Sequence, residues 1–218
     1  AVVLPGAFFT KPANRKACRE INDSKEFAEE RREELYAVIL SLAERGELFW
    51  ASGGSSVDEI ETENIVGATC LAMKRALDEV SATSKGLWLP EPKSADDLFS
   101  DSDAPPDEKN WVVRVDGRPM KRLPYEHEGL VKGDTISLAI AMGSLIAKVT
   151  RDRIMRELSE EFPVYDFGSN KGYGSPNHLK ALKKFGPIHH HRPRFLRNLL
   201  PGTNEPKQDD SQSQLSFG

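Results

Sequence analysis

The chain has 218 residues, of which 38% are hydrophobic and 29% are charged, and its formal net charge is −4. This length favours one domain, or one domain with an appendage, over two independent cores. No apolar run approaches the ~18 residues that a membrane span needs, so we expect a soluble globular protein without a membrane partner. Cys18 and Cys70 lie far apart in sequence and show no metal-ligand spacing, so neither a disulfide framework nor a zinc site is supported, and a reducing cytoplasm is expected.

The charge is distributed unevenly along the chain. Residues 90–110 contain seven acidic residues and two lysines, whereas residues 171–200 contain seven Lys or Arg, four of the five histidines and no acidic residue. A polyphosphate partner would be bound favourably by such a basic segment, because each neutralised phosphate releases counterions. A basic face that serves only solubility is the alternative explanation.

The N-terminal half predicts alternating strands and helices. In chain order, the pattern indicates a strand end at 1–4, a polar connection at 10–23, a helix at 26–45, a short strand at 48–51 and a helix at 57–80. Ser24 is the expected N-cap of the first helix, and Gly46 is expected to end it. Residues 90–110, rich in Pro, Ser and Asp, are expected to form a mobile insertion without a catalytic role.

The C-terminal half begins with a strand at 111–115 that ends at Asp116-Gly117. A polar stretch to Gly133 and a long helix at 136–162 follow, and two short basic helical segments are predicted at 176–185 and 190–199. The tail from Thr203 is expected to be disordered. Strands that alternate with helices, followed by a helical run, indicate an α/β domain with a C-terminal helical extension.

Two acidic residues, Asp116 and Asp134, are the strongest candidates for chemistry. Asp116 follows a strand, and Asp134 immediately precedes the long helix. Carboxylates at a strand end and a helix start can converge on Mg²⁺ or Mn²⁺, which prefer oxygen ligands. Taken singly, Asp116 could belong to an Asp-Gly turn and Asp134 could be a helix N-cap. Two carboxylates alone do not define a two-metal site.

Other candidates lie further along the chain. Lys148, Arg151 and Asp152 lie where the long helix becomes polar, and Lys148 and Asp152 could simply form an exposed i,i+4 pair. Tyr173 lies between Gly172 and Gly174, where its ring could stack on a sugar or base or could belong to the core.

Several unusual strings occur in one order across most of the chain. They are Asn22-Asp23-Ser24-Lys25, Glu59-Ile60, Asn64-Ile65, Ala72-Met73, Val115-Asp116-Gly117, Lys132-Gly133-Asp134, the stretch 144–152, Phe162-Pro163, Lys171-Gly172-Tyr173-Gly174 with His178, and Gly186-Pro187 before His191-Arg192 and Phe195. Each string is weak alone, but together and in this order they resemble bacterial ribonuclease HII. The resemblance covers nearly the whole chain apart from the acidic insertion and the tail.

The resemblance implies a ribonuclease H-like α/β fold, with a mixed central sheet flanked by helices and a C-terminal helical subdomain. The expected divisions are a catalytic domain at 1–165, a basic helical extension at 166–202 and a tail at 203–218. The implied activity is an endonuclease that cuts the RNA strand of RNA–DNA hybrids and incises DNA at embedded ribonucleotides, leaving 5′-phosphate and 3′-hydroxyl ends. The expected partner is therefore nucleic acid, and no obligate protein partner is evident.

The resemblance also implies roles for individual residues. Asp116 and Asp134 would be two of four carboxylates that hold Mn²⁺ or Mg²⁺. Tyr173 would stack at the junction between ribonucleotide and deoxyribonucleotide. The residues expected to contact the nucleic-acid backbone are Lys25, Lys148, Arg151 and His178.

The sequence departs from the family at two places. The family's Asp-Glu-Ala-Gly-Arg-Gly motif, which supplies the other two carboxylates, does not occur in these 218 residues. We expect it upstream of Ala1, and we expect the 218 residues alone to be inactive or nearly so. Met142-Gly143 stands where the family usually has two alanines, a change expected to affect helix packing. Two alternatives stay open: a non-catalytic nucleic-acid-binding remnant of the same fold, and a metal-dependent phosphatase.

Overall fold

The computed structural model describes residues 1–22, 24–88 and 111–199. The predicted acidic insertion at 90–110 and the predicted tail from Thr203 lie outside the described residues. In the described part, none of the helices combines the length and the hydropathy that crossing a membrane would take.

The chain divides into two compact units. The first unit comprises the described parts of Ala1–Ser55 and Ile65–Ile154, and the second comprises Ser56–Asn64 and the described part of Met155–Gly218. The domain limits expected from the sequence, at residues 165 and 202, stay predictions.

The first unit begins with a short antiparallel ladder. Strand β1 (Val2–Val3) pairs with β2 (Phe49–Trp50), with Val2 opposite Trp50. Between these strands lie helix α1 (Pro12–Ala17) and helix α2 (Glu29–Glu44). Helix α1 was not predicted, because its short polar sequence has no apolar period.

The start of helix α2 differs from the prediction. The helix begins at Glu29 with Ala28 at the N-cap position, whereas Ser24 begins a separate 3₁₀ turn, Ser24–Glu26. Ser24 is buried, and its hydroxyl lies 3.1 Å from the hydroxyl of Ser144. The Ser24 side chain therefore fixes the turn to another helix instead of capping α2.

Helix α3 (Val57–Thr83) belongs to both units and is interrupted at Asn64, whose φ of 58° and ψ of 173° are not helical. A capping box begins it: the hydroxyl of Ser56 accepts from the N–H of Glu59, and the Glu59 carboxylate accepts from the N–H of Ser56. The interruption was not predicted, because the apolar pattern continues through Asn64.

A parallel ladder carries the first candidate carboxylate. Strand β3 (Arg114–Asp116) pairs with β4 (Glu128–Leu130), so that Asp116 lies opposite Leu130. Helix α4 (Gly133–Ile136) follows β4, and helix α5 (Leu138–Glu161) follows α4. Strand β4 was not predicted, because Glu128-Gly129-Leu130 has no strand-like alternation.

The largest buried cluster of the first unit lies between helices α2 and α5. Its fully buried members include Ile39 and Leu42 from α2 and Met142, Leu145 and Ile146 from α5. This explains why the first half of α5 is apolar nearly all round. The mixed α/β class predicted from the sequence is confirmed, and the described strands form two separate two-stranded ladders.

The second unit is helical after α5. It contains α6 (Phe167–Asn170), α7 (Pro176–Phe185) and α8 (Pro193–Leu199). Helix α7 has the bounds that the sequence predicts, because Ser175 caps it by accepting from the N–H of His178 and Gly186, at φ 81°, follows its end. Tyr165, Phe167 and Leu182 form the core of this unit.

Candidate active site

Asp116 lies at the carboxyl end of β3, where the chain leaves the ladder. The N–H of Gly117 donates to the carbonyl oxygen of Leu130 at 2.8 Å, and Gly117 adopts a φ of 84°, which glycine tolerates without strain. The ladder therefore ends in a turn directly after Asp116. Asp116 is exposed, so its carboxylate is accessible to a ligand from solvent.

Asp134 lies in the first turn of α4 and is only 6% exposed. The residue before this turn, Lys132, has a left-handed backbone with φ 57° and ψ 42°. The N–H of Gly133, which stands between them, donates to Oδ1 of Asp116 at 2.9 Å. The sequence prediction that a strand end and a helix start converge is therefore matched by a direct hydrogen bond.

Gly133 permits this close approach because it has no side chain. A Cβ atom at this position would lie 2.7 Å from Cδ1 of Ile140 and 3.3 Å from Oδ1 of Asp116. Asp134 is the next residue, so its Cα lies about 3.8 Å from that of Gly133. The two carboxylates thus belong to one small region of the first unit.

Lys25 faces the same region from the 3₁₀ turn Ser24–Glu26. Its Nζ lies 3.8 Å from Oδ2 of Asp134, and its side chain is 75% exposed while that of Asp134 is 7% exposed. A positive charge therefore already stands near the buried carboxylate. The distance is long for a hydrogen bond, so the interaction is mainly electrostatic.

The donor set is suited to a hard divalent cation, although it is small. Mg²⁺ is commonly held by one or two carboxylates together with water and substrate phosphate. Asp116 and Asp134 supply such a pair. Among residues 1–22, 24–88 and 111–199, no cluster of three or more His, Cys, Asp or Glu side chains could hold a metal.

Lys148 and Asp152 form more than the exposed helix pair considered from the sequence. Asp152 is 2% exposed, and its two carboxylate oxygens accept from Nζ of Lys148 at 2.6 Å and from Arg32 of helix α2 at 3.1 Å. Arg32 lies 120 residues away in sequence, so no local pattern could have revealed it. Lys148 is 28% exposed, and Arg151, on the same helix, is exposed.

Tyr173, in the second unit, has the free-standing ring that the flanking glycines predict. Its side chain is 71% exposed. The loop is fixed from both sides: the N–H of Tyr173 donates to the carbonyl of Asn170, and its own carbonyl accepts from the N–H of Ser175. Lys171 and Gly172 before it both have positive φ values. An exposed ring on a fixed loop is suited to stacking.

His178 has a different environment from the other candidates. It is 4% exposed, its Nδ1 lies 3.0 Å from the carbonyl oxygen of Tyr165, and its ring stacks on that of His191 at 5.3 Å. Burial, and after it the neighbouring His178, lower the pKa of His191 to about 4. In this conformation His178 packs inside the second unit, and its contact with a nucleic-acid backbone stays a prediction.

Comparison with known proteins decides the family. A family model described as Ribonuclease HII matches residues 112–198. A Ribonuclease HII of Ehrlichia canis (strain Jake) is 36% identical over 201 residues, which cover 92% of this chain and 80% of the relative. This chain belongs to the ribonuclease HII family.

Two further ribonuclease HII relatives come from other bacteria. That of Caldanaerobacter subterraneus subsp. tengcongensis is 39% identical over 201 residues, covering 92% of this chain and 68% of the relative. That of Fusobacterium nucleatum subsp. nucleatum is 38% identical over 188 residues, covering 85% and 75%. The resemblance inferred from short strings is therefore confirmed, together with the ribonuclease H-like fold and a ribonuclease H-type endonuclease activity for the family.

Sequence reasoning missed two residues that contact the candidate side chains. Gly133 was quoted only as part of a string, although its N–H and its missing side chain bring Asp116 to α4. Arg32 was not singled out, although it pairs with the buried Asp152. The only sequence signal for Gly133 was its place directly before Asp134. No sequence signal pointed to Arg32.

Proposed function

We propose that this ribonuclease HII hydrolyses the RNA strand of RNA–DNA hybrids and incises DNA at embedded ribonucleotides, leaving 5′-phosphate and 3′-hydroxyl ends. The observation that carries the proposal is the hydrogen bond from Gly133 to Asp116, which connects one candidate carboxylate to the residue before the other. The family membership supports the nuclease class. Because the proposed substrate is nucleic acid, we propose that the protein is located in the cytoplasm.

Asp116 and Asp134 are the proposed ligands of Mn²⁺ or Mg²⁺. Divalent ions bound there would activate a water molecule and stabilise the leaving 3′-oxygen. The chain's own contribution is position and charge. The Gly133 N–H fixes one oxygen of Asp116, and the low exposure of Asp134 keeps its carboxylate in a surrounding of reduced dielectric, where attraction to a cation is stronger.

The remaining candidates are proposed to position the substrate. Lys25 is close enough to Asp134 to meet a phosphate that approaches the same carboxylate. Lys148 and Arg151 are proposed to contact the backbone, and Lys148 would do so while Asp152 orients it. Tyr173 is proposed to stack at the ribonucleotide junction. RNA is distinguished from DNA by its 2′-hydroxyl, the group that differs along the backbone.

A cleavage assay on three matched duplexes tests the proposal. The duplexes are an all-DNA duplex, a DNA duplex with one embedded ribonucleotide, and an RNA–DNA hybrid. The proteins are the 218-residue chain, the same chain joined to a family strand with Asp-Glu-Ala-Gly-Arg-Gly, and Asp116→Asn of the joined form. Asp166→Asn is the control, because Asp166 is exposed and has a left-handed backbone that Asn adopts readily.

We expect the joined form and its Asp166→Asn variant to cut the two ribonucleotide-containing duplexes and to spare all-DNA. The Asp116→Asn variant and the 218 residues alone are expected to be inactive or nearly so. Equal cutting of all three duplexes would contradict the proposed specificity. Binding without cutting by the joined form would favour the alternative, a non-catalytic nucleic-acid-binding protein of the same fold.

A further inference from the structure

A short basic segment directly follows Asp116. Residues 118–122, Arg118-Pro119-Met120-Lys121-Arg122, carry three cationic side chains and no acidic one, and we call them the basic loop. All three cationic residues are exposed. The loop begins the connection between strands β3 and β4 of the first unit.

The structure holds the basic loop in place against the ladder. Gly129 of β4 lies so close to Pro119 that a Cβ atom on Gly129 would stand 2.4 Å from both the Cδ and the N of Pro119. The N–H of Met120 donates to Nε2 of His127 at 2.9 Å. Leu123, which directly follows the loop, is 2% exposed. The cationic side chains therefore project from a fixed backbone, which reduces the entropy lost on binding.

Two of the three cationic side chains of the basic loop, those of Arg118 and Lys121, are not neutralised by an acidic neighbour in the described part of the chain. Glu128, the acidic residue in β4, pairs with Arg114 at 3.2 Å. Among the described residues, Arg118 and Lys121 form no hydrogen bond or ion pair through their side chains. Two exposed cations on a fixed loop without an acidic partner leave the surface attractive to an anion.

The spacing relates the basic loop to the candidate metal centre. Arg118 is two residues from Asp116, so their Cα atoms are at most about 7 Å apart. Successive nucleotides of one strand rise by about 3.4 Å along a duplex. A phosphate bound by Arg118 would therefore lie within about two nucleotides of the one at Asp116. Arginine is suited to this role, because its guanidinium binds phosphate oxygens in a bidentate manner.

We infer that the basic loop binds phosphates of the cut strand within about two nucleotides of the cleavage site. This inference rests on the proposed function, since it takes the nucleic acid to be cut at Asp116 and Asp134. The exposed cations of the loop lie on an open surface, which suits an extended polyanionic backbone as the partner. The contact adds affinity and fixes the register of the strand without reading its sequence.

Salt-dependent binding tests the inference without requiring catalysis. The 218-residue chain is titrated, without divalent cations, against a labelled duplex with one ribonucleotide at KCl concentrations from about 50 to 200 mM. The loop variant is Arg118→Gln, Lys121→Gln, Arg122→Gln. The control is Arg15→Gln, Lys16→Gln, Arg19→Gln, which removes three exposed cations of the first unit near helix α1.

Each lost phosphate contact lowers the slope of log affinity against log salt by about 0.9, so we expect the loop variant to lose about 2 to 3 from the slope. The control variant should keep the wild-type slope. A neutral methylphosphonate placed within two nucleotides of the ribonucleotide in the cut strand should weaken wild-type binding and leave the loop variant unaffected. Unchanged thermal midpoints show that both variants fold.

The outcomes separate the inference from the proposed function. Equal slopes for the wild type and the loop variant, with clear duplex binding, overturn the inference alone. Equal slope losses in both variants also overturn it, because they would reflect total charge. An undiminished methylphosphonate effect in the loop variant places the contact elsewhere and overturns it as well. No affinity for any duplex overturns the inference and the proposed function together.

Discussion

The backbone N–H of Gly133 donates a 2.9 Å hydrogen bond to Oδ1 of Asp116. This bond connects the end of strand β3 to the first turn of helix α4, and therefore connects one candidate carboxylate to the residue before the other. It also restricts the rotation of the Asp116 side chain, so less entropy is lost when a cation binds. The position of Asp116 thus depends on the backbone of its neighbour.

Gly133→Ala is expected to disturb this arrangement. The new Cβ would lie 2.7 Å from Cδ1 of Ile140 and 3.3 Å from Oδ1 of Asp116, so both side chains must move. Overpacking of this kind costs about 1–3 kcal/mol of unfolding free energy. We expect a lower urea midpoint and weaker Mn²⁺ binding than in the wild type. Unchanged values for both would show that the site accepts a side chain here.

Gly143→Ala is expected to have the opposite effect on stability. Gly143 lies inside helix α5, and nothing stands within 4 Å of the position that its Cβ would occupy. Alanine in a helix interior is more stable than glycine by about 1 kcal/mol, mainly because the unfolded chain loses less entropy. Urea unfolding should show an increase of this size, and a decrease would mean that α5 needs the glycine for packing.

Asp152→Asn is expected to destabilise the first unit strongly. Asp152 accepts from Lys148 and Arg32, and its side chain is 2% exposed. Removing one partner of a buried ion pair costs about 3–5 kcal/mol, because the other charge stays buried. The comparison is Glu33→Gln, which breaks the more exposed pair with Arg153 and should cost about 0–1 kcal/mol. Similar losses in the two variants would contradict the importance of burial.

The second unit is expected to lose stability in acid through His191. Burial lowers the pKa of His191 to about 4 from the ordinary 6.5, and its Nε2 is buried without a hydrogen-bond partner among the described residues. The neighbouring histidines 178, 189 and 190 contribute to this lowering of the pKa, less than burial does. Between pH 6.5 and about 4, the unfolded chain takes up a proton at His191 that the folded chain does not, so stability falls as the pH falls.

His191→Gln tests this acid dependence. Urea midpoints measured from pH 7 to pH 4 should fall less steeply in the variant, because this proton uptake is removed. Glutamine can still accept from the N–H of Ile188, as Nδ1 of His191 does at 3.0 Å. The same pH slope in both proteins would show that His191 does not contribute.

Much of the fold could be predicted where local signals agreed. Helix α7 matched its predicted bounds because Ser175, Pro176 and Gly186 are start and stop signals and the apolar pattern between them is helical. Strand β4 was missed because its pairing with β3, and not its own sequence, stabilises it. The shift of the α2 start from Ser24 arose from a tertiary contact with Ser144, which local sequence does not reveal.

The residues of the candidate site likewise fall into those that the sequence could predict and those that it could not. Asp116 and Asp134 could be selected from their places at a strand end and a helix start, and Tyr173 from its flanking glycines. The burial of His178 and the pairing of Asp152 with Arg32 depend on residues distant in sequence or on another helix. A pattern of residue types identifies candidate ligands, whereas packing decides which of them are accessible.

Mn²⁺ titration of the 218-residue chain tests the central claim, that Asp116 and Asp134 share one cation. Isothermal titration would compare the wild type with Asp116→Asn, Asp134→Asn, the double variant and the Asp166→Asn control. Each single variant should bind Mn²⁺ about 10-fold or more weakly, because mutation even of a residue that only hydrogen-bonds to a metal ligand weakens metal binding by about that factor. The double variant should bind little worse than either single one, because one shared site is already lost. Wild-type affinity in either single variant would contradict the shared site.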